Sequence, residues 1–165
     1  MTLFGTRFHY GPVTQSFHWA MAGLVIAALA SAMASGGQGS ATLVLHEAIG
    51  LTIFGLTVLR LAWRSFDRLP GKPPRQAALA LWSWRVDIAL YVLLFAVPVT
   101  GIIGAQELPA MEAGVHPEEG IIDLHRLFGV LLAVTAGAHS ILALVHHWVK
   151  RDGVLRMMLP GGPAA

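Results

Sequence analysis

Residues 120–148 read GIIDLHRLFGVLLAVTAGAHSILALVHHW. This stretch is long and apolar enough to cross a bilayer as a helix, which takes about 20 residues. It also carries His125 and His139, fourteen positions apart. Fourteen residues are almost four helical turns, so the two imidazoles share a face and stand about 21 Å apart along the axis. A hydrocarbon core is about 30 Å thick, so one histidine belongs near each membrane surface.

Three other apolar stretches precede it, from Ser16 to Ser35, Ala41 to Trp63 and Val86 to Gln106. Pro98 is expected to kink the third. Helices satisfy their own backbone groups in lipid, so the chain reads as an all-α membrane protein, a bundle of four transmembrane helices in a single domain spanning residues 1–165. Composition agrees. Of 165 residues 55% are hydrophobic and only 12% charged, against about 25% charged in soluble domains. A formal charge of +2 gives no support to nucleic-acid binding, and the absence of cysteine excludes disulfides, thiolate metal sites and covalent haem attachment through Cys-x-x-Cys-His. Residues 1–15 contain Arg7, His9 and Pro12, and the apolar run that follows is too long for a signal peptide, so no cleavable signal is expected.

Lys and Arg set the orientation. Arg7, Arg64, Arg68, Lys72, Arg75, Arg85, Lys150, Arg151 and Arg156 fall on one side, whereas Glu107, Glu112, Glu118, Glu119 and Asp123 fall on the other, with Arg126 the cation near them. Both termini are therefore expected in the cytoplasm, with Trp63, Trp82, Trp84 and Trp148 at that interface.

In this topology His18 and His139 lie at the inner level, and His46 and His125 at the outer level. Ionisable groups inside a span are costly and usually functional, although any one of these histidines read singly equally fits hydrogen bonding between helices. Two depth-matched pairs fit ligation better. Zinc generally takes three or four protein ligands, and two imidazoles per level without cysteine make a thin zinc site. Haem supplies four nitrogens itself and needs only two axial ligands. Gly50 and Gly129 each follow a ligand by four residues, one turn inward on the same face, where a flat macrocycle can approach the backbone; ordinary small-residue packing fits them equally. Arg60 shares the face of His46 at the inner level, placed either to pair a haem propionate or to snorkel to the surface. Arg126 is placed to meet an outer propionate or to pair with Asp123 or Glu47. His146, seven residues beyond His139, is placed to cap the inner haem or to donate to a quinone carbonyl. His147 reads as interfacial, His9 and His116 as solvated, and Asp87 as opening the third helix, where a carboxylate favours the N-terminus.

The stretches YGPVTQSFHW (10–19), LHEAIG with His46, VLRLAWR with Arg60, YVLLFAVPVTG, HRLFGVLLAVTAGAH and HHWVKRDGVLRMMLPG occur in an order and spacing that resembles the bacterial cytochrome b-561 family, the small dihaem membrane cytochromes that include superoxide oxidase. The resemblance covers nearly the whole chain. It implies a four-helix bundle enclosing two stacked b-type haems, with His18 and His139 on the inner iron and His46 and His125 on the outer. It also implies ubiquinone as electron acceptor, with His146 near it, and superoxide or a soluble donor as the source of electrons, in the bacterial inner membrane. Some relatives carry histidine where Asp87 stands. Two other functions remain open: a cytochrome b anchor subunit of a larger oxidoreductase, and a non-redox membrane scaffold or ion carrier. Oligomeric state is not legible.

Overall fold

The computed structural model describes residues 4–6, 9–34, 40–67, 77–112, 120–151, 153 and 155–159, with side chains of the third helix described from 84 to 106. Arg7, Arg68, Lys72, Arg75, His116, Glu118 and Glu119 lie outside the described residues, as do the side chains of Trp82, Glu107 and Glu112.

Four helices follow in order: α1 (Pro12–Met33), α2 (Ala41–Arg64), α3 (Ala77–Glu112) and α4 (Gly120–Val145). No strand occurs among the described residues. Each helix has an apolar segment long enough to cross a membrane; within α3 that segment is Trp84–Gln106, and the fourth runs to Lys150. Local chemistry sets the helix starts. Pro12 occupies the first turn of α1, where its missing N–H costs nothing. Ser40 caps α2 by accepting from the Leu43 amide at 3.3 Å. The α3 helix continues through Pro98 without a break.

Helices α1 and α2, α2 and α3, and α3 and α4 pack side by side. The register of α2 explains its orientation. His46, Ile53 and Arg60 recur every seven residues and form one stripe, with Ile53 only 4% exposed. Val44, Leu51 and Val58 form another, 58%, 61% and 45% exposed. The second stripe is left exposed among the described residues and suits acyl chains. In α4, His125, Leu132 and His139 form the corresponding inward stripe, and Val134 and Ile141 face out. The buried apolar residues, Met21 and Val25 of α1, Ile53 of α2, Leu94 of α3 and Leu132 of α4, make one cluster to which every helix contributes. Leu132 is seven residues from each α4 histidine, so this apolar layer lies midway between their levels.

Residues 10–19 and 157–159 meet at one end of the bundle, called here the terminal end; the other is the far end. Beyond α4 the helix widens into a π-turn (His146–Lys150), closed by Arg151 in the left-handed region at φ 52°, and a 3₁₀ turn follows (Leu155–Met158). This segment folds back onto α1. Trp19 Nε1 donates to the Met158 carbonyl at 2.9 Å, and the Tyr10 amide to the Met157 carbonyl at 3.3 Å. The buried Gln15 amide donates to the carbonyls of Tyr10 at 3.1 Å and Met157 at 3.3 Å. On the adjacent corner Asp67 accepts from the Gly5 amide at 2.9 Å and from the Thr14 hydroxyl. Trp63 donates to Thr14 Oγ1 at 3.1 Å and stacks on Phe4.

Two sequence expectations change here. Asp87 does not open α3. The helix begins at Ala77, so Asp87 lies ten residues inside it, beyond the reach of a dipole that fades within the first turn. Its charge reaches Tyr10 instead: burial, helped by this carboxylate, raises the Tyr10 phenol above its ordinary range. His9 is not solvated. Its ring is folded between the start of α1 and the C-terminal segment, Nδ1 meets Gln15 Nε2 at 3.1 Å, and Nε2 is buried with no hydrogen-bond partner among the described residues.

Candidate functional site

The inward stripes bring the four membrane histidines together as two pairs. His18 of α1 and His139 of α4 face each other with ring centres 6.2 Å apart and planes at 55°. His46 of α2 and His125 of α4 face each other at 6.0 Å, with planes at 86°. The first pair lies toward the terminal end and the second toward the far end. Helix α4 thus serves both levels, meeting α1 at one and α2 at the other.

These separations can be tested against a metal bound on both faces. An imidazole with ring bonds of about 1.33 Å has its centre about 1.1 Å from either nitrogen. Metal–imidazole bonds are about 2.0–2.1 Å. Two rings on opposite sides of one metal would therefore have centres roughly 6.2–6.4 Å apart. The His18–His139 pair falls at the lower edge of that range and the His46–His125 pair just below it. Among the described residues no three His, Cys, Asp or Glu converge as a metal site. A donor set of two imidazoles suits a metal whose other positions a macrocycle fills.

Hydrogen bonds at the far end define which nitrogen is available. His46 Nδ1 lies 3.0 Å from the Ala28 carbonyl oxygen of α1, and His125 Nδ1 lies 2.9 Å from the Val97 carbonyl oxygen of α3. A carbonyl has no proton to give, so Nδ1 carries the hydrogen in both rings and Nε2 keeps its lone pair. Metal-binding histidines usually donate their other ring N–H in this way.

The glycines divide into two kinds. Gly50 and Gly129 are half-buried, yet a methyl group built on either meets no atom within 4 Å. That is room of the kind a flat macrocycle uses. Gly101 was not singled out by the sequence. A methyl group there would come within 2.9 Å of His125 Cε1, so only glycine lets the His125 ring lie against α3. One turn later, a methyl group on Gly104 would meet Ile122 Cγ1 at 3.3 Å, and α3 and α4 approach closely along this edge.

Arg60 turns into the bundle at the terminal level. Its Nη1 donates to Met21 Sδ at 3.6 Å, and its guanidinium lies 5.5 Å from the centre of the Tyr91 ring, which Arg64 also approaches at 5.7 Å. Arg126 pairs with Asp123 at 3.1 Å on the exposed surface. His146 opens the π-turn, and His147, Trp148, Arg151, Gly153 and Arg156 line a cavity of about 350 Å³ beside it.

The family described as prokaryotic cytochrome b561 matches residues 9–161. The chain belongs to this family. It is a multi-pass bacterial membrane protein and a b-type cytochrome of electron transfer. Among curated relatives, the Escherichia coli (strain K12) protein named cytochrome b561 homolog 2 is 26% identical over 179 residues, covering 96% of this chain and 95% of that one. Membership implies b-type haem, which brings its own four nitrogens, in keeping with no three His, Cys, Asp or Glu converging among the described residues of this cytochrome. It leaves Ser31 and Thr100, the buried hydroxyls beside His46 and His125, to be explained from the geometry.

Proposed function

We propose that this cytochrome holds two b-type haems, one between His46 and His125 and one between His18 and His139, and passes electrons through them to ubiquinone. The observation that carries this reading is the matched pair geometry, 6.2 Å and 6.0 Å between ring centres at two levels of one helix. When bound, each haem would supply an iron that takes and gives one electron, and the paired imidazoles are the residues that would hold it. The residues do the rest. Gly50 and Gly129 admit the macrocycles beside their ligands. The layer of Met21, Val25, Ile53, Leu94 and Leu132 excludes water between the two levels. Arg60 offers a carboxylate at the terminal level a bidentate partner, and Arg126 lies at the far-end rim.

By the positive-inside rule the terminal end faces the cytoplasm. We place the quinone there, with His146 as donor to a quinone carbonyl. Reduction of ubiquinone to ubiquinol takes two electrons and two protons, so two one-electron passages serve each quinone. If superoxide is the donor, each loses one electron at the far end and leaves as dioxygen. Glu107, Glu112, Glu118 and Glu119 flank that end in sequence and favour a second version, in which a cationic soluble protein or a peripheral redox subunit is the donor.

The test is a pyridine haemochrome count with oxidised and dithionite-reduced spectra of the purified protein, repeated on single alanine variants of the four histidines. Two low-spin b haems in the wild type and loss of one in each variant are expected. Stopped-flow reduction by superoxide, then reoxidation by ubiquinone, separates the donors. A colourless protein expressed with ample haem overturns the reading.

A further inference from the structure

The two far-end histidines are held by the same device on different helices. His46 Nδ1 meets the Ala28 carbonyl at 3.0 Å and Ser31 Oγ at 3.3 Å, and Ser31 Oγ itself donates to the Ala28 carbonyl at 2.9 Å. His125 Nδ1 meets the Val97 carbonyl at 2.9 Å and Thr100 Oγ1 at 3.4 Å, and Thr100 Oγ1 shares its proton between the Val97 carbonyl at 2.9 Å and the Ala96 carbonyl at 2.8 Å. In each case a carbonyl and the hydroxyl three residues later form a two-oxygen seat for one imidazole N–H. Because the hydroxyl proton is engaged by a carbonyl, the hydroxyl lone pair is what faces the ring.

Serine and threonine often bond back to their own helix, as Thr52 and Thr135 do here from exposed positions. Ser31 and Thr100 differ from those two. Both are 7% exposed, and each carries an imidazole on its outer side. Gly101 completes the seat on α3 by leaving space for the His125 ring. Among the described residues no carbonyl–hydroxyl seat is present at His18 or His139, and that level has the Arg60 guanidinium beside Met21 instead.

We propose that Ser31 and Thr100 are positioning residues that hold His46 and His125 in the Nδ1–H form and make the far-end haem the lower in potential of the two. The inference rests on the two-haem reading above. An N–H held by two oxygens makes the opposite nitrogen a stronger donor, and a stronger axial donor favours the oxidised iron, which is one of the levers that set haem potential. A fixed cation near the terminal-end pair acts in the opposite sense there, disfavouring the oxidised state. Both effects make electron movement from the far end to the terminal end downhill. One carbonyl–hydroxyl seat per ligand, repeated on α1 and α3, thus gives the bundle a direction.

The test is a spectroelectrochemical titration of the purified dihaem protein and of Ser31→Ala, Thr100→Val and the double variant. His139→Ala, which keeps only the far-end pair, assigns the midpoints. The wild type is expected to have the lower midpoint at the far end. Each single variant is expected to keep two haems and to raise that midpoint, by up to about a tenfold change in the reduction constant, or 59 mV for one electron. The terminal-end midpoint stays unmoved, and Thr100→Ser restores the original value. Two haems with unchanged midpoints in the double variant overturn the proposal, as does a wild type whose far-end midpoint is the higher. If Thr100→Val loses a haem, recovery in Thr100→Ser supports the hydroxyl seat, and failure to recover overturns it. A wild type with one haem or none overturns the two-haem reading, and this inference with it, and is recognised by the haem count before any potential is measured.

Discussion

At the residue scale the glycines give the sharpest contrast. Replacing glycine by alanine inside a helix gains about 0.8–1.0 kcal/mol of helix propensity, so each substitution should help the bare polypeptide. At Gly101 the new methyl group meets His125 Cε1 at 2.9 Å. The ring must leave its seat, and Gly101→Ala is expected to lose most of one haem. At Gly50 and Gly129 the methyl group meets no protein atom within 4 Å. Gly50→Ala and Gly129→Ala should keep or raise the thermal stability of the haem-free chain while lowering haem content. A haemochrome count beside a melting curve checks both, and full haem content in all three variants would remove the glycines from the site. Arg60 gives a second prediction. Its cation lies in the bundle against Met21 and Tyr91, so Arg60→Met is expected to lower the terminal-end midpoint and leave the far-end one in place, as read by redox titration. The histidines were legible in sequence because a fourteen-residue spacing fixes face and depth together. Ser31, Thr100 and Gly101 were not, because what they touch depends on how each helix is rotated against its neighbour. The available signal was depth: a hydroxyl near the far end of the first and third spans, level with His46 and His125. Arg126 was left open between a propionate and an acid of the chain. It pairs with Asp123, in an exposed contact of the kind that contributes little.

At the scale of elements, four spans were legible from apolar length, and the all-α bundle follows from them. What was not legible is where α3 starts and how α4 ends. The basic, proline-rich connection hid the helical turns that precede Trp84, and so made Asp87 look like a helix opener. The seven-residue spacing of His139 and His146 reads as continuous helix, whereas the backbone widens into a π-turn at His146. Such turns often mark functional sites, and this one ends beside the cavity lined by Arg151 and Arg156. The C-terminal segment is held on α1 largely by Gln15, whose buried amide serves the carbonyls of Tyr10 and Met157 and Nδ1 of His9. Leucine at position 15 keeps the volume and removes the donor, leaving the Met157 carbonyl to the Tyr10 amide and the Tyr10 carbonyl to His9 Nδ1, at a cost of about 1 kcal/mol per lost hydrogen bond. Gln15→Leu is therefore expected to raise hydrogen exchange in residues 155–159 and to slow quinone reoxidation, with the haem count unchanged. Unaltered exchange there would mean that Trp19 and the Tyr10 amide hold the segment without Gln15.

At the scale of the whole molecule the question is which side meets which partner. Apolar stripes such as Val44, Leu51 and Val58 explain why the bundle needs lipid, but they are symmetric across the membrane. Charge is not. Arg64, Arg85, Lys150, Arg151 and Arg156 cluster toward the terminal end, and the glutamates of residues 107–119 fall in sequence between the far-end parts of α3 and α4. A C-terminal fluorescent-protein fusion is therefore expected to fluoresce, and a C-terminal alkaline phosphatase fusion to stay inactive. The reverse result would put the glutamates in the cytoplasm and remove them from any extracytoplasmic encounter. With the expected orientation they bear directly on the donor. Superoxide is an anion, and association of charged partners follows the local potential, falling with ionic strength when attractive and rising when repulsive. Glu107, Glu112, Glu118 and Glu119 put four negative charges in this stretch of sequence, and Arg126, already paired with Asp123, offsets little of that charge. Superoxide-driven haem reduction by the wild type should thus quicken as salt is added. Glu118→Lys with Glu119→Lys replaces two negative charges by two positive ones and so offsets the charges of Glu107 and Glu112; it should raise the low-salt rate and flatten the salt dependence. Reduction by a cationic soluble donor should respond in the opposite sense in both respects. Rates that ignore both salt and the double substitution would mean that the electron enters away from this loop, through lipid-exposed protein or from a subunit docked elsewhere on the far end.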